Sequence, residues 1–345
     1  MVENRLGGRT ERRNGLILGI GAYVLWGVMP LYLVLTKPAQ AVEVIAHRVI
    51  WSAWFLAVIA ALSGQLRTLG RALVRPRHLA AVSLAGGLLT VNWLTFVWAV
   101  FDGQIVVAAL GYFINPLVSV LLGVVLLGER LRPAQWAAVG IGAVAVVVVA
   151  SGTGPFPWVA LVLALSFGFY GYIEKRIGGR LSAVVSLSAE TLVLLPLALA
   201  YVVWLQLGGK GTFASLGFGH ASAMVGLGAA TLLPLLLFNG AARRLPLSVV
   251  GMLQYLAPVG QFATGVVVFG EPMPPARWIG FAIVWLALII LSVDAVHHTR
   301  RRQFNPLKRS AAPVLSDGSD SPLPDCAPRP PLSSRCGRGA SPGKL

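Results

Sequence analysis

Inside an otherwise apolar run, residues 43–52 read EVIAHRVIWS and bring together an acid, an imidazole and a guanidinium. Glu43 and His47 are four apart, so a helix places them on one face within reach of each other. Arg48 carries a planar fork of donors that suits a carboxylate. Its expected work is to hold an anionic group of a substrate or to pair with a buried acid. Glu190 is the acid expected for that pairing, because its segment occupies the matching place in the second half of the chain. A buried carboxyl there can carry a proton or neutralise Arg48. His47 is expected to touch substrate, and Glu43 to join Glu190 in proton coupling. The plainer readings are a helix start in the headgroup zone with Arg48 snorkelling outward, and a static structural pair for Glu190. Glu174, beside Lys175 and Arg176, reads as a helix end.

A second group is polar but uncharged: Asn92, Asn115, Asn239, Gln254, Gln261, Tyr112 and Tyr255. Such side chains in apolar helices often bond only to neighbouring helices. Tyr112, Asn115, Gln254 and Tyr255 are favoured as substrate contacts, with Asn92 beside them, because they cluster around Pro116 and Pro258. A proline within a helix frees the carbonyl four residues earlier, here those of Tyr112 and Gln254. In lipid that carbonyl needs a partner, so the two prolines mark kinks beside a cavity, or kinks for packing alone. Trp26, Trp93 and Trp98 can stack on a flat substrate, whereas Trp136 and Trp278 suit an interfacial belt.

Other chemistries find no support. GGKGT at 208–212 lacks the spacing of a phosphate-binding loop, and no H-E-x-x-H occurs. ALSFG at 164–168 only loosely echoes a nucleophile elbow. Acids are too sparse for a metal-carboxylate centre, and His297-His298 stands without further ligands. No catalytic residue, metal or cofactor is expected. Cys326 and Cys336 lie in the C-terminal tail, which leaves no disulfide framework in the core.

The elements that position these residues follow from composition. Of 345 residues, 56% are hydrophobic and 12% charged, with mean hydropathy +0.76; a soluble domain carries about 25% charged residues. Apolar runs of about 20 residues, enough for a helix to cross a bilayer, recur between short Gly, Pro and Arg connectors. Spans are predicted near 15–36, 43–63, 78–101, 104–127, 133–151, 157–175, 184–207, 221–241, 248–270 and 276–296. The net charge of +16 does not point to nucleic acid, because basic residues gather in connectors and at the ends. Arg12 and Arg13, Arg71 and Arg75, Arg130 and Arg132, Arg176 and Arg180, Arg243 and Arg244, and Arg300–Arg302 all fall on one face if ten spans place both termini in the cytoplasm. The other face keeps Lys37, Lys210 and Arg277. Gly15–Leu35 exceeds a signal-peptide core and no small-x-small site follows, so an uncleaved span is expected. From about His297 the Pro, Ser and Arg content predicts disorder. Arg300–Arg302 there serve as a topology signal and are able to meet anionic headgroups.

Residues 111–149 align without a gap on residues 253–291. Pro116 meets Pro258, Gly128-Glu129 meets Gly270-Glu271, and Pro133-Ala134-x-Trp136 meets Pro275-Ala276-x-Trp278. Matches of these residue types in one register indicate an internal duplication. Each copy then holds five spans, and an odd number sends the second copy across the membrane in the opposite sense, with Glu129 facing the cytoplasm and Glu271 the outside. Inverted repeats of this kind build secondary transporters whose substrates bind near the midplane, between the halves. The expected organisation is a basic cytoplasmic N-terminus at 1–14, a first five-helix repeat at 15–151, a second at 152–296, and a disordered tail at 297–345.

The stretches GAYVLWGVMPLY (21–32), EVIAHRVIWS (43–52), NWLTFVWAV (92–100), GYFINPLVSVLLGVVLLGERL (111–131) and LPLSVVGMLQYLAPVGQFATGVVVFGEP (245–272) together resemble the RarD-type transporters, a branch of the EamA group in the drug/metabolite transporter superfamily. The resemblance covers about residues 15–296; the tail lies outside it, and Asp102-Gly103 departs from the more polar turn of the family. It implies an all-α integral membrane protein of ten helices in two inverted five-helix repeats, and a permease of a kind often described by chloramphenicol sensitivity. The expected function is a secondary permease of the plasma membrane that moves a small organic metabolite or drug by alternating access. The alternatives are a membrane-embedded enzyme acting on lipid or lipid-linked substrate, and a non-transporting sensor. Neither gives an inverted repeat a purpose.

Overall fold

Lipid offers no hydrogen bonds, so a chain this apolar must pair its backbone groups within each segment, as a helix does. The computed structural model describes residues 3–65, 67, 69–70, 76–128, 131–152, 157–177 and 183–303, and among them every regular element is helical. The helices are α1 (Glu3–Gly27), α2 (Met29–Val34), α3 (Ala41–Leu62), α4 (Pro76–Phe101), α5 (Ile105–Leu127), α6 (Pro133–Gly152), α7 (Trp158–Ile177), α8 (Ala183–Leu207), α9 (Gly217–Ala242), α10 (Leu247–Leu253), α11 (Leu256–Ala263) with a π-helical turn at Thr264–Val268, and α12 (Pro275–Gln303). Seven of them (α3, α4, α5, α6, α8, α9 and α12) are long and apolar enough to cross a membrane. Large apolar side chains such as Leu197, Leu207 and Val267 stay 72%, 85% and 80% exposed, a surface suited to lipid rather than water. The protein is a multi-span helical membrane protein.

Three boundaries differ from expectation. The first predicted span is broken at Val28, because Pro30 fits only the opening turn of a new helix. The ninth, 248–270, is interrupted at Gln254 and Tyr255. The last helix runs to Gln303, past His297 where disorder was expected. No Gly or Pro occurs from Phe281 to Gln303, and Arg and Gln are good helix formers. Residues 304–345, with Cys326 and Cys336, lie outside the described residues, as do Glu129, Arg130, Arg71, Arg75 and Arg180. Residues 1–300 form one unit, and residues 301–345 form a second.

Ala41, Ile105 and Pro133 open α3, α5 and α6, and Ala183, Leu247 and Pro275, each 142 residues later, open α8, α10 and α12. The same offset relates Gly86 to Gly228, Arg48 to Glu190, and Gly128 to Gly270. Gly128 and Gly270 both adopt left-handed backbone, at φ 65° and 62°, which only glycine takes up without steric cost. Gly128 thereby caps α5. Packing follows the same exchange. α1 packs on α9 and α11, as α7 packs on α4 and α5; α3 packs on α9 as α8 packs on α4; α3 meets α8 and α5 meets α11. These contacts all join a helix of residues 3–152 to a helix of residues 157–303, so the interior is shared between the two stretches. Glycines allow the tightest approaches: a Cβ on Gly260 would stand 2.8 Å from the Cα of Gly27, where α11 crosses α1.

Candidate functional site

Between the two sets of helices lies a cavity of about 540 Å³. Its polar lining comes from Arg48 on α3, Asn92 on α4, Tyr112 and Asn115 on α5, Thr231 and Asn239 on α9, Gln254 and Tyr255 at the α10–α11 break, and Gln261 on α11. Its aromatic lining includes Tyr23 and Trp26 on α1, Trp93 and Phe96 on α4, Phe167 and Tyr170 on α7, and Phe238 on α9. Pro116 and Pro258 both border it. They act differently, however. α5 runs unbroken through Pro116. Ahead of Pro258 the helix is interrupted, and the freed Gln254 carbonyl accepts a looser bond from the Ala257 N–H at 3.4 Å. A more open depression of about 640 Å³, bordered by Tyr32, Lys37 and His220, holds none of these residues.

Asn92 organises one wall. Its amide donates to the Leu163 carbonyl at 3.0 Å and to Ser166 Oγ at 3.1 Å, both on α7. Its Oδ1 accepts from the Tyr112 hydroxyl at 2.9 Å. One side chain thus ties α4 to α7 and α5 and orients Tyr112. Beside it, the Arg48 guanidinium lies over the Trp93 ring, with Cζ 3.9 Å from the ring centroid. Arg48 is 5% exposed, its Nε has no hydrogen-bond partner, and among the described residues no carboxylate stands within ion-pair distance. Gln261 donates to the Trp26 carbonyl at 3.3 Å, which joins α11 to α1. Asn115 Oδ1 and Gln261 Oε1 are buried without partners.

The sequence-predicted residues therefore divide. Trp26, Arg48, Asn92, Tyr112, Asn115, Gln254 and Tyr255 meet in one cavity. His47, Glu43, Glu190 and Trp98 do not line it. His47 stacks on Phe213, with ring centroids 4.6 Å apart and planes inclined by 17°. Glu43 accepts the Thr212 N–H at 2.7 Å and so holds the α8–α9 connector; Thr212 Oγ1 in turn meets His220 Nε2 at 2.9 Å. Glu190 is buried on α8 with Ser186 Oγ 3.3 Å from its Oε1, and its main chain packs against Gly86 of α4. No ion pair joins Glu190 to Arg48. The two occupy equivalent positions on helices of different copies, and each faces its own surroundings. Trp98 packs on Trp158.

Two features escaped the sequence reading. Trp26, Trp93 and Tyr112 are expected from the sequence and do line the cavity, but Tyr23, Phe96, Phe167, Tyr170 and Phe238, which complete the ring-lined walls, are not, because apolar aromatics in an apolar helix carry no directional signal. The second is Glu271, in the connector between the π turn and α12. Its Oε1 accepts the Ile105 N–H at 2.5 Å and its Oε2 the Val106 N–H at 2.8 Å, capping α5 where the helix dipole favours an anion. Burial pushes its carboxyl above the ordinary value, and the two N–H bonds and Arg277 pull the other way. The Gly-Glu pair was noticed as a repeat marker, but a cap on a distant helix has no local signature.

Comparison with known proteins gives a consistent result. The EamA-like transporter family matches residues 13–151. Protein RarD of Streptomyces exfoliatus is 49% identical over 90% of this chain and 98% of its own. An uncharacterized transporter of Pseudomonas aeruginosa is 43% identical over 84% of this chain and 96% of its own. A chain of known crystal structure superposes with a TM-score of 0.54 over 80% of this chain and 96% of its own, at 20% identity, a likeness of fold alone.

Proposed function

Since the chain belongs to the RarD-type branch of the EamA-like transporter family, we propose that it is a secondary permease of the plasma membrane, moving a small organic metabolite or drug by alternating access. Ten spans make up the transport body, residues 15–151 and 152–296 being its two inverted halves, and both termini face the cytoplasm. The sorting of basic connectors supports this orientation, and the 142-residue recurrence of helix starts supports the duplication. Arg300–Arg302 sit where anionic headgroups are in reach.

The observation that carries the reading is the cavity. It is lined by helices of both copies, it holds the two repeat prolines, and it collects polar groups that lack partners. A cavity between halves that pack through exchangeable contacts is what rocking of one half against the other requires. Trp26, Arg48, Asn92, Tyr112, Asn115, Gln254 and Tyr255 contact the solute. Glu43, His47 and Glu190 stand outside the cavity and act on coupling or on the closure of its ends. Relatives named as transporters favour this over a lipid-modifying enzyme or a sensor.

An untargeted comparison of intracellular and medium metabolites tests the proposal. Cells making the protein are set against an empty-vector control and against equal amounts of an Arg48→Ala variant. A solute that redistributes only with the intact protein supports the permease. Identical profiles in all three cultures, across media rich in candidate solutes, contradict it.

A further inference from the structure

The charge balance of the cavity narrows the cargo. Resting on the permease reading above, we infer that the cavity takes an aromatic organic anion, with Arg48 holding the acidic group and the facing rings holding the flat portion.

Among the described residues that line the cavity, Arg48 alone carries a charge at neutral pH. Its guanidinium stays protonated, and a buried cation needs an anion to replace the water it has lost. The face of Trp93 gives it a quadrupole, not a counter-charge. The buried acids of the described chain are engaged elsewhere. Glu43 accepts from Thr212, Glu190 lies with Ser186 on α8, and Glu271 caps α5. The cavity therefore keeps one uncompensated positive charge, and its Nε still lacks a hydrogen-bond partner. A carboxylate, sulfonate or phosphate on the cargo supplies both.

The walls supply the second half of the match. Tyr23, Trp26 and Phe238 form one aromatic group, with centroids 5.3–6.2 Å apart. Tyr112, Phe167 and Tyr170 form another, at 5.8–6.2 Å. Rings favour offset or edge contacts with a further ring, and both groups border the same space as Arg48. A cargo with charge but no ring would leave these walls unfilled; a ring without charge would leave Arg48 unpaired.

Three probes separate the contributions. Benzenesulfonate is a permanent, membrane-impermeant anion; benzenesulfonamide is its neutral counterpart; methanesulfonate keeps the charge and drops the ring. Titration calorimetry on the full chain in lipid nanodiscs gives the affinities, and uptake of labelled probe into proteoliposomes gives the flux. Benzenesulfonate is expected to bind roughly ten- to hundredfold more tightly than the sulfonamide, the scale of hydrogen bonds to a charged group, and at least about tenfold more tightly than methanesulfonate. Arg48→Gln removes the preference for the anion, and Arg48→Lys retains part of it. The wild-type comparison alone needs no variant to fold. Equal binding of sulfonate and sulfonamide, equal binding of the two sulfonates, or no binding of any probe overturns the inference. Sulfonate binding that depends on Arg48 without uptake leaves the inference standing and overturns the permease reading. Uptake of benzenesulfonate that exceeds protein-free liposomes and is equal in wild type and Arg48→Gln does the reverse.

Discussion

The interlocked packing of the two copies has a measurable weak point at Gly228. A Cβ placed there would lie 2.7 Å from the Trp51 carbonyl carbon and 2.8 Å from Trp51 Cβ and Phe55 Cδ2. Carbon atoms rest at about 3.5–4.0 Å, so Gly228→Ala forces α9 and α3 apart by about 1 Å. Overpacking of this kind costs about 1–3 kcal/mol. The upper end applies, because the Trp51 main chain cannot rotate away. Alanine returns about 1 kcal/mol of helix propensity, which leaves about 2 kcal/mol. At about 2 °C per kcal/mol for a large domain, the unfolding midpoint falls by roughly 4 °C. Gly86, its equivalent in the first copy, is the control. A Cβ there meets Glu190 O at 3.3 Å and the flexible Leu194 Cδ1 at 3.4 Å, a tight fit that the propensity gain offsets, so Gly86→Ala stays within about 1 °C of wild type. Tryptophan fluorescence during thermal unfolding in detergent reads both. An unchanged midpoint for Gly228→Ala, or an equal fall for Gly86→Ala, refutes the reasoning.

Other consequences follow from the same geometry. Glu271→Ala strands the buried Ile105 and Val106 N–H groups, at about 1–3 kcal/mol each; unfolding in detergent is expected to show a loss well above that of an exposed Glu11→Ala control. Because burial raises the Glu271 carboxyl above its ordinary 4.5, the folded state binds this proton more tightly than the unfolded state. Stability is therefore fully present below the ordinary value and falls as pH rises through the raised one, a slope that Glu271→Gln removes. Asn92→Ala breaks the α4–α7 and α4–α5 bonds, which at about 0.6 kcal/mol per interhelical bond lowers the midpoint by a few degrees, whereas a change no larger than that of Ser222→Ala would count against its bridging role. In a background with Cys326 and Cys336 replaced by serine, a cysteine at Lys210 is expected to react with an impermeant maleimide in intact cells and one at Arg243 is not; the opposite pattern would invert the orientation.

The helical, multi-span character was readable because it has a local chemical cause. Apolar length marks a helix that lipid can surround, and the Pro-Ala-x-Trp and Gly-Glu matches place two copies in one register. The cavity was partly readable for the same reason: Tyr112, Asn115, Gln254 and Tyr255 flank prolines, and Arg48 is conspicuous in an apolar run. What the sequence hides is the direction a side chain faces. His47 and Arg48 are neighbours, yet Arg48 turns toward Trp93 and the cavity while His47 turns toward Phe213. The expected Arg48–Glu190 pair fails for a related reason. The 142-residue offset makes them counterparts in the two copies, and symmetry places counterparts apart as readily as together. The partner that Glu43 accepts from, Thr212, lies 169 residues away, and no local pattern links them.

Alternating access can be tested at Asn115, which borders the cavity beside Pro116. In the same cysteine-free background, Asn115→Cys is challenged with an impermeant thiol reagent in right-side-out and in inside-out vesicles. The permease account predicts labelling from both sides, each slowed by a cargo that occupies the cavity. Labelling from one side only, under every condition that leaves the protein folded, would contradict it.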